Sequence, residues 1–222
     1  MEESKRLTQR YLDPGDRLGE VLFGLIMVLT VTLTADLTLH DGQASVRELL
    51  AAAIGCNVAW GIIDSGMYVM AALLERARRA KTLLAVQRAP DEAAGLAVVA
   101  EVLDDTLVGL QPEEVRHRIY AQVREMALRV KPQPVHILRE DLMGALACFV
   151  LVVLSLVPAI LPFLFIDEPR LALRWSNGLL VASLFGTGFA WGHHANANRW
   201  LTGFVFMAVG LALVGIAVAL GG

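Results

Sequence analysis

A carboxylate in the middle of an apolar run is costly in hydrocarbon unless it is protonated, paired or wet. Asp64, between Ile62-Ile63 and Gly66-Met67, is such a group and should face the protein interior. Asn57 stands seven positions before it and Tyr68 four after, spacings that place all three on one helical face. That face could bind a metal ion or a proton at a seam between helices. It could equally carry a neutral Asp64, hydrogen-bonded across the seam as a structural tie.

A second constellation lies in a polar stretch. Glu101, Asp104 and Asp105 share one face of a predicted helix, and Glu113, Glu114 and His117 share one face of the next. Glu114 and His117 have the Glu-x-x-His spacing that presents carboxylate and imidazole to one metal in di-iron bundles. Hard oxygens with one imidazole suit Fe²⁺ or Mn²⁺. The alternative is a solvated acidic face laced with Arg116, Arg118 and Arg124. His193 and His194 are adjacent, point about 100° apart on a helix, and read as a polar end between the interfacial anchors Trp191 and Trp200. No Ser-His-Asp order, Gly-rich phosphate loop or HExxH is present, so no catalytic machinery is expected and no prosthetic group is called for.

The elements that must hold these residues follow from composition. Of 222 residues, 56% are hydrophobic and 18% charged, and the mean hydropathy is +0.57, values foreign to a soluble domain. The formal charge of −3, with no basic stripe interleaved with aromatics, gives no footing for nucleic acid. Cys56 and Cys148 both sit in apolar runs and read as small buried hydrophobes. Five stretches are long enough to cross a bilayer: Leu18 to Ala35, Leu49 to Leu74, Leu142 to Ile166, Trp175 to Trp191 and Trp200 to Leu220, the fourth being the shortest. The expected fold is therefore all-α, an integral membrane protein of five transmembrane helices with a helical insert between spans two and three.

The polar arm of residues 1–17 has Lys5, Arg6, Arg10 and Arg17 but no apolar core of a signal peptide, so the first span is expected to be retained. Basic residues stay on the cytoplasmic side during insertion. Sixteen of the nineteen Lys and Arg fall on the side of the N-terminus, and only Arg47, Arg170 and Arg174 on the other. This predicts a cytoplasmic N-terminus, a cytoplasmic insert and an external C-terminus. The division is an arm (1–17), spans one and two (18–74), the insert (75–141) and spans three to five (142–222). Within the insert, Leu96, Val99, Leu103 and Leu107 recur at helical spacing after Pro90-Asp91-Glu92, Gly109-Leu110-Gln111-Pro112 breaks the helix, and a second runs from Glu113 to the Lys131-Pro132-Gln133-Pro134 stop. The two can close as an antiparallel hairpin, and the basic run Arg76 to Lys81 lies where it can meet lipid phosphates. Pro158 and Pro162 share one face of span three and predict a kink or, more sharply, a hinge.

This order of parts resembles the vacuolar iron transporter family of divalent-metal exporters. The likeness is carried by Leu22-Phe23-Gly24-Leu25 early in span one, by the two-proline stretch Leu156 to Phe163, by Gly66-Met67-Tyr68 in span two and by Phe185-Gly186 in span four. It covers most of the chain, from about Gly15 to Leu220. The resemblance implies a multi-pass inner-membrane homodimer that exports Fe²⁺ or Mn²⁺ from the cytoplasm, with proton antiport as the coupling and an insert that gathers metal. Cyclic symmetry also favours a pathway built between two copies. The family's ion-binding Asp after the Phe-Gly pair falls at Met27, and the acid of its Gly-Glu-Tyr falls at Met67. Met27 and Met67 would then be thioether ligands beside Asp64. The competing expectation is a protein of the same fold that does not transport and uses its hairpin as a docking or regulatory surface.

Overall fold

The computed structural model describes residues 12–39, 46–107 and 112–220. Among them every regular element is helical: α1 (Pro14–Leu39), α2 (Val46–Gln87), α3 (Glu92–Leu107), α4 (Glu113–Arg129), α5 (Arg139–Leu154), α6 (Val157–Ile160), a short 3-10 turn (Leu161–Leu164), α7 (Pro169–His194) and α8 (Arg199–Ala219). They form two units, Met1–Val69 with Arg139–Gly222, and Met70–Leu138, with α2 contributing to both.

In the first unit the usual distribution of polarity is inverted. Ile62, Met67, Leu201, Phe204 and Ile216 are exposed, while Asn57, Thr32 and Ser176 are fully buried and Asp141 nearly so. Water would drive such apolar side chains inside, and lipid does not. Four helical stretches among the described residues are long and apolar enough to cross a membrane: Pro14–Thr34, Leu50–Gln87, Arg139–Leu164 and Arg199–Ala219. The chain is a multi-pass membrane protein.

The expected fourth span, Trp175 to Trp191, lies within α7. That helix is 26 residues long but is not among the four, because Ser176, Asn177, Ser183 and Thr187 lower its apolarity. Its polarity is turned inward. Ser176 and Thr187 are buried, and the Ser183 and Thr187 hydroxyls donate back to the Leu179 and Ser183 carbonyls at 2.7 and 2.9 Å. Because α7 packs against α1, α6 and α8, these groups meet protein rather than lipid.

Small residues let α7 and α8 approach closely. A side chain at Gly188 would stand 2.7 Å from the Thr202 carbonyl oxygen, and one at Gly192 would stand 2.9 Å from the Arg199 Cα. The turn between them is fixed by Asn196 at φ 52° and by Asn198, whose side chain accepts from the Trp200 and Leu201 amides. The other end of α7 starts with Pro169 after Glu168, which caps the Arg170 and Leu171 amides.

Span three, read from sequence as one stretch, is broken. α5 ends at Leu154, and α6 and the 3-10 turn follow as separate short pieces. Pro158 and Pro162 are the cause, since each removes a donor that the preceding turn would need.

In the second unit α3 and α4 run antiparallel. Glu92 meets Arg124 at 3.7 Å near one end, and the Tyr120 hydroxyl donates to Asp104 near the other, with Val86, Val99 and Tyr120 as the core between. Gly95 leaves room for Arg124, whose Nε would lie 2.8 Å from a Cβ there. Gln87 closes the end of α4 by donating to the Ala127 and Val130 carbonyls at 2.8 and 2.7 Å. The expected break at Gly109-Leu110-Gln111 lies outside the described residues.

Candidate functional site: a polar seam among α1, α2 and α5

Asp16, Glu20 and Gly24 follow one another at four-residue spacing along one face of α1. Asn57, Asp64 and Tyr68, seven and then four residues apart, share one face of α2, and Cys148 of α5 packs with Tyr68. Cys148, 1% exposed, stands beside Glu20, and Asp64 lies within electrostatic range of both groups. Asp64 Oδ2 is buried and has no hydrogen-bond partner among the described residues.

One turn along α2, the Tyr68 ring lies over Gly144 of α5, where any side chain would collide with it. The carboxylates of Asp13, Asp16 and Asp141 are within electrostatic range of its hydroxyl. Ser65 ties the two helices together, its hydroxyl lying 2.6 Å from the Gly61 carbonyl and 2.8 Å from the Ala145 carbonyl. Phe149 packs over Gly61, and Phe23 meets Trp60 edge to face with ring centroids 5.5 Å apart.

Two turns the other way, Asn57 donates to the Val152 carbonyl at 3.1 Å and to Ser155 Oγ at 3.2 Å. The seam therefore carries carboxylate oxygens, one thiol and amide and hydroxyl oxygens inside a membrane unit. Such groups can exchange a proton for a cation.

The sequence placed Asp64, Asn57 and Tyr68 on one face, and all three lie along this seam. Met67 does not join them, being 60% exposed on α2. Met27 is half-buried on α1, seven residues beyond Glu20. Sequence reasoning missed Glu20 and treated Cys148 as a mere hydrophobe. The missed signal was the one applied to Asp64: Glu20 is a carboxylate two residues inside an apolar stretch. Its partner Cys148, 128 positions away, could be found only in the fold.

In the second unit, Asp104 is taken up by Tyr120. Glu101 is exposed at the rim of a groove of about 970 Å³ that Arg78, Lys81, Val86 and Val99 also line. His117 lies 3.9 Å from Glu113, both largely exposed, and Glu114 is exposed with its backbone carbonyl 3.5 Å from Arg118 Nε. The Asp105 side chain lies outside the described residues. Among the described residues no three His, Cys, Asp or Glu side chains gather to hold a metal ion. By accepting a hydrogen bond from the Tyr120 hydroxyl, the Asp104 carboxylate pushes the tyrosine's pKa above its ordinary value, and desolvation adds to this.

Compared with protein families, the chain matches the VIT (vacuolar iron transporter) family over residues 65–222, well over half its length. No curated protein matches it.

Proposed function

The chain belongs to the VIT family, a family of membrane metal-ion transporters, and on that premise we propose that it exports Fe²⁺ or Mn²⁺ from the cytoplasm in exchange for protons. In this reading it sits in the inner membrane as a homodimer, α7 is a fifth span, the N-terminus is cytoplasmic and the C-terminus is external. The family match carries the reading, and the polar seam supplies its chemistry.

Glu20 and Asp64 are the exchanging groups. Each can hold a proton or help hold a metal ion, so a proton taken up from outside displaces the ion it replaces. Cys148 stands beside Glu20 and offers a softer donor. Tyr68 and Asn57 extend the path to either side, while Met27 and Met67 stand as thioethers near it. The break at Pro158 and Pro162 is the hinge. Glu101, Asp104, Asp105, Glu113, Glu114 and His117 concentrate cations at the cytoplasmic face.

The test is uptake of Fe²⁺ and of Mn²⁺ into liposomes holding the purified protein, with and without a pH gradient. Flux of at least one ion, accelerated by an opposing proton gradient, is expected. Flux of neither would favour the second reading, a docking protein of the same fold. Met27 in the place of the family's acid and the open groove of the insert support that alternative.

A further inference from the structure

Three helices meet where α5 ends, and the side-chain donors of Asn57 and Ser155 at that junction are committed. Gly24 of α1 has no side chain where Ser155 Oγ lies. The amide nitrogen of Asn57 gives its hydrogens to the Val152 carbonyl and to Ser155 Oγ, at 3.1 and 3.2 Å. The Ser155 hydroxyl donates to the Val152 carbonyl at 2.6 Å. What remains is acceptor. Asn57 Oδ1, on a side chain with 0% exposure, has no hydrogen-bond partner among the described residues.

A buried carbonyl without a donor is expensive, and an amide held by two bonds cannot turn to relieve it. With its donors spent, the junction repels an anion and suits a cation. About 10 Å along the same face of α2, at 1.5 Å per residue, Asp64 Oδ2 is a second buried acceptor with no hydrogen-bond partner among the described residues.

We propose that Asn57 Oδ1, held in place by Ser155 and the Val152 carbonyl, is a neutral cation-binding station on the seam. A metal ion leaving the carboxylates Glu20 and Asp64 exchanges hydration water for this oxygen. The station rests on the transport reading and deepens it. A neutral hard oxygen binds a divalent ion more weakly than a carboxylate does, and weak binding lets the ion leave.

The experiment uses the full chain with Mn²⁺ as the probe. Binding is read from loss of the free-ion electron paramagnetic resonance signal, and flux from Mn²⁺ uptake into liposomes. Asn57→Asp puts a full charge on the station, so Mn²⁺ should bind about tenfold tighter and cross more slowly, the ion being held. Asn57→Ser removes the carbonyl from a smaller side chain. It should weaken binding about tenfold and serves alone if the Asp variant does not fold.

A folded variant with the parent's affinity would overturn the station and leave Asn57 as a tie between α2 and α5. A parent that binds no Mn²⁺ would overturn it too. A parent that binds Mn²⁺ but carries neither Mn²⁺ nor Fe²⁺ would sink the transport reading instead, and the variants' affinities would still decide the station.

Discussion

Asp64 and Glu20 separate a transport role from a structural one. Asp64→Asn keeps the shape and hydrogen-bonding capacity of a protonated acid but removes the titratable charge. If the carboxylate works in transport, the variant folds and its metal flux falls by about tenfold or more, the loss that ~1.4 kcal/mol of missing interaction produces. Unchanged flux in a folded Asn variant would remove Asp64 from the mechanism. Glu20→Gln should behave alike. Because the two acids lie within electrostatic range of one another, the double variant should lose less than the sum of the single losses.

At the level of elements, two helix pairs depend on a few contacts. The α7–α8 pair needs Gly188, where a Cβ would stand 2.5 Å from the Phe206 Cβ and 2.7 Å from the Thr202 carbonyl oxygen. Backbone cannot give way as a flexible side-chain end can. Gly188→Ala should cost about 1–3 kcal/mol, read as a lower unfolding midpoint in detergent, whereas Gly178→Ala, with open space around it, should cost nothing from overlap.

The α3–α4 pair carries a pH dependence through Tyr120. Its pKa is raised in the folded chain, so the folded state holds that proton more tightly than the unfolded state. The associated stability is complete below the ordinary tyrosine pKa of about 10 and is lost as pH rises through the higher folded value. An ultraviolet titration of the parent minus Tyr120→Phe should isolate one tyrosine ionising above the ordinary range. A difference curve centred at or below it would refute the link to Asp104.

For the whole molecule, the number of spans decides which side each end occupies. If only the four most apolar stretches cross, both ends report the same compartment. If α7 crosses as well, the ends report opposite ones. Reporter fusions at the N-terminus, within the insert and at the C-terminus should place the first two in the cytoplasm and the last outside, as the distribution of Lys and Arg predicts. Two ends on one side would leave α7 as a helix held within the protein without crossing.

Local sequence was enough wherever the physics is local. The length and apolarity of the runs called for membrane helices, the single mid-span carboxylate marked Asp64, and the spacing of Asn57, Asp64 and Tyr68 put them on one face. Pro158 and Pro162 announced a break because a missing N–H acts within one turn. Pairing between distant helices was not legible. Asp104 lay in an acidic face that fitted a metal as well as a solvated surface, and Tyr120 engages it because α3 and α4 pack antiparallel. The polar residues of α7 lower its average apolarity along the sequence, whereas its packing against α1 and α8 gives those residues protein to meet. Glu20 became part of the seam only when α5 brought Cys148 to it, and Gly24 acquired its reason only when Ser155 arrived in the space it leaves. Helix periodicity fixes which side of its own axis a residue occupies. What stands on that side is decided by the packing of helices far apart in the chain.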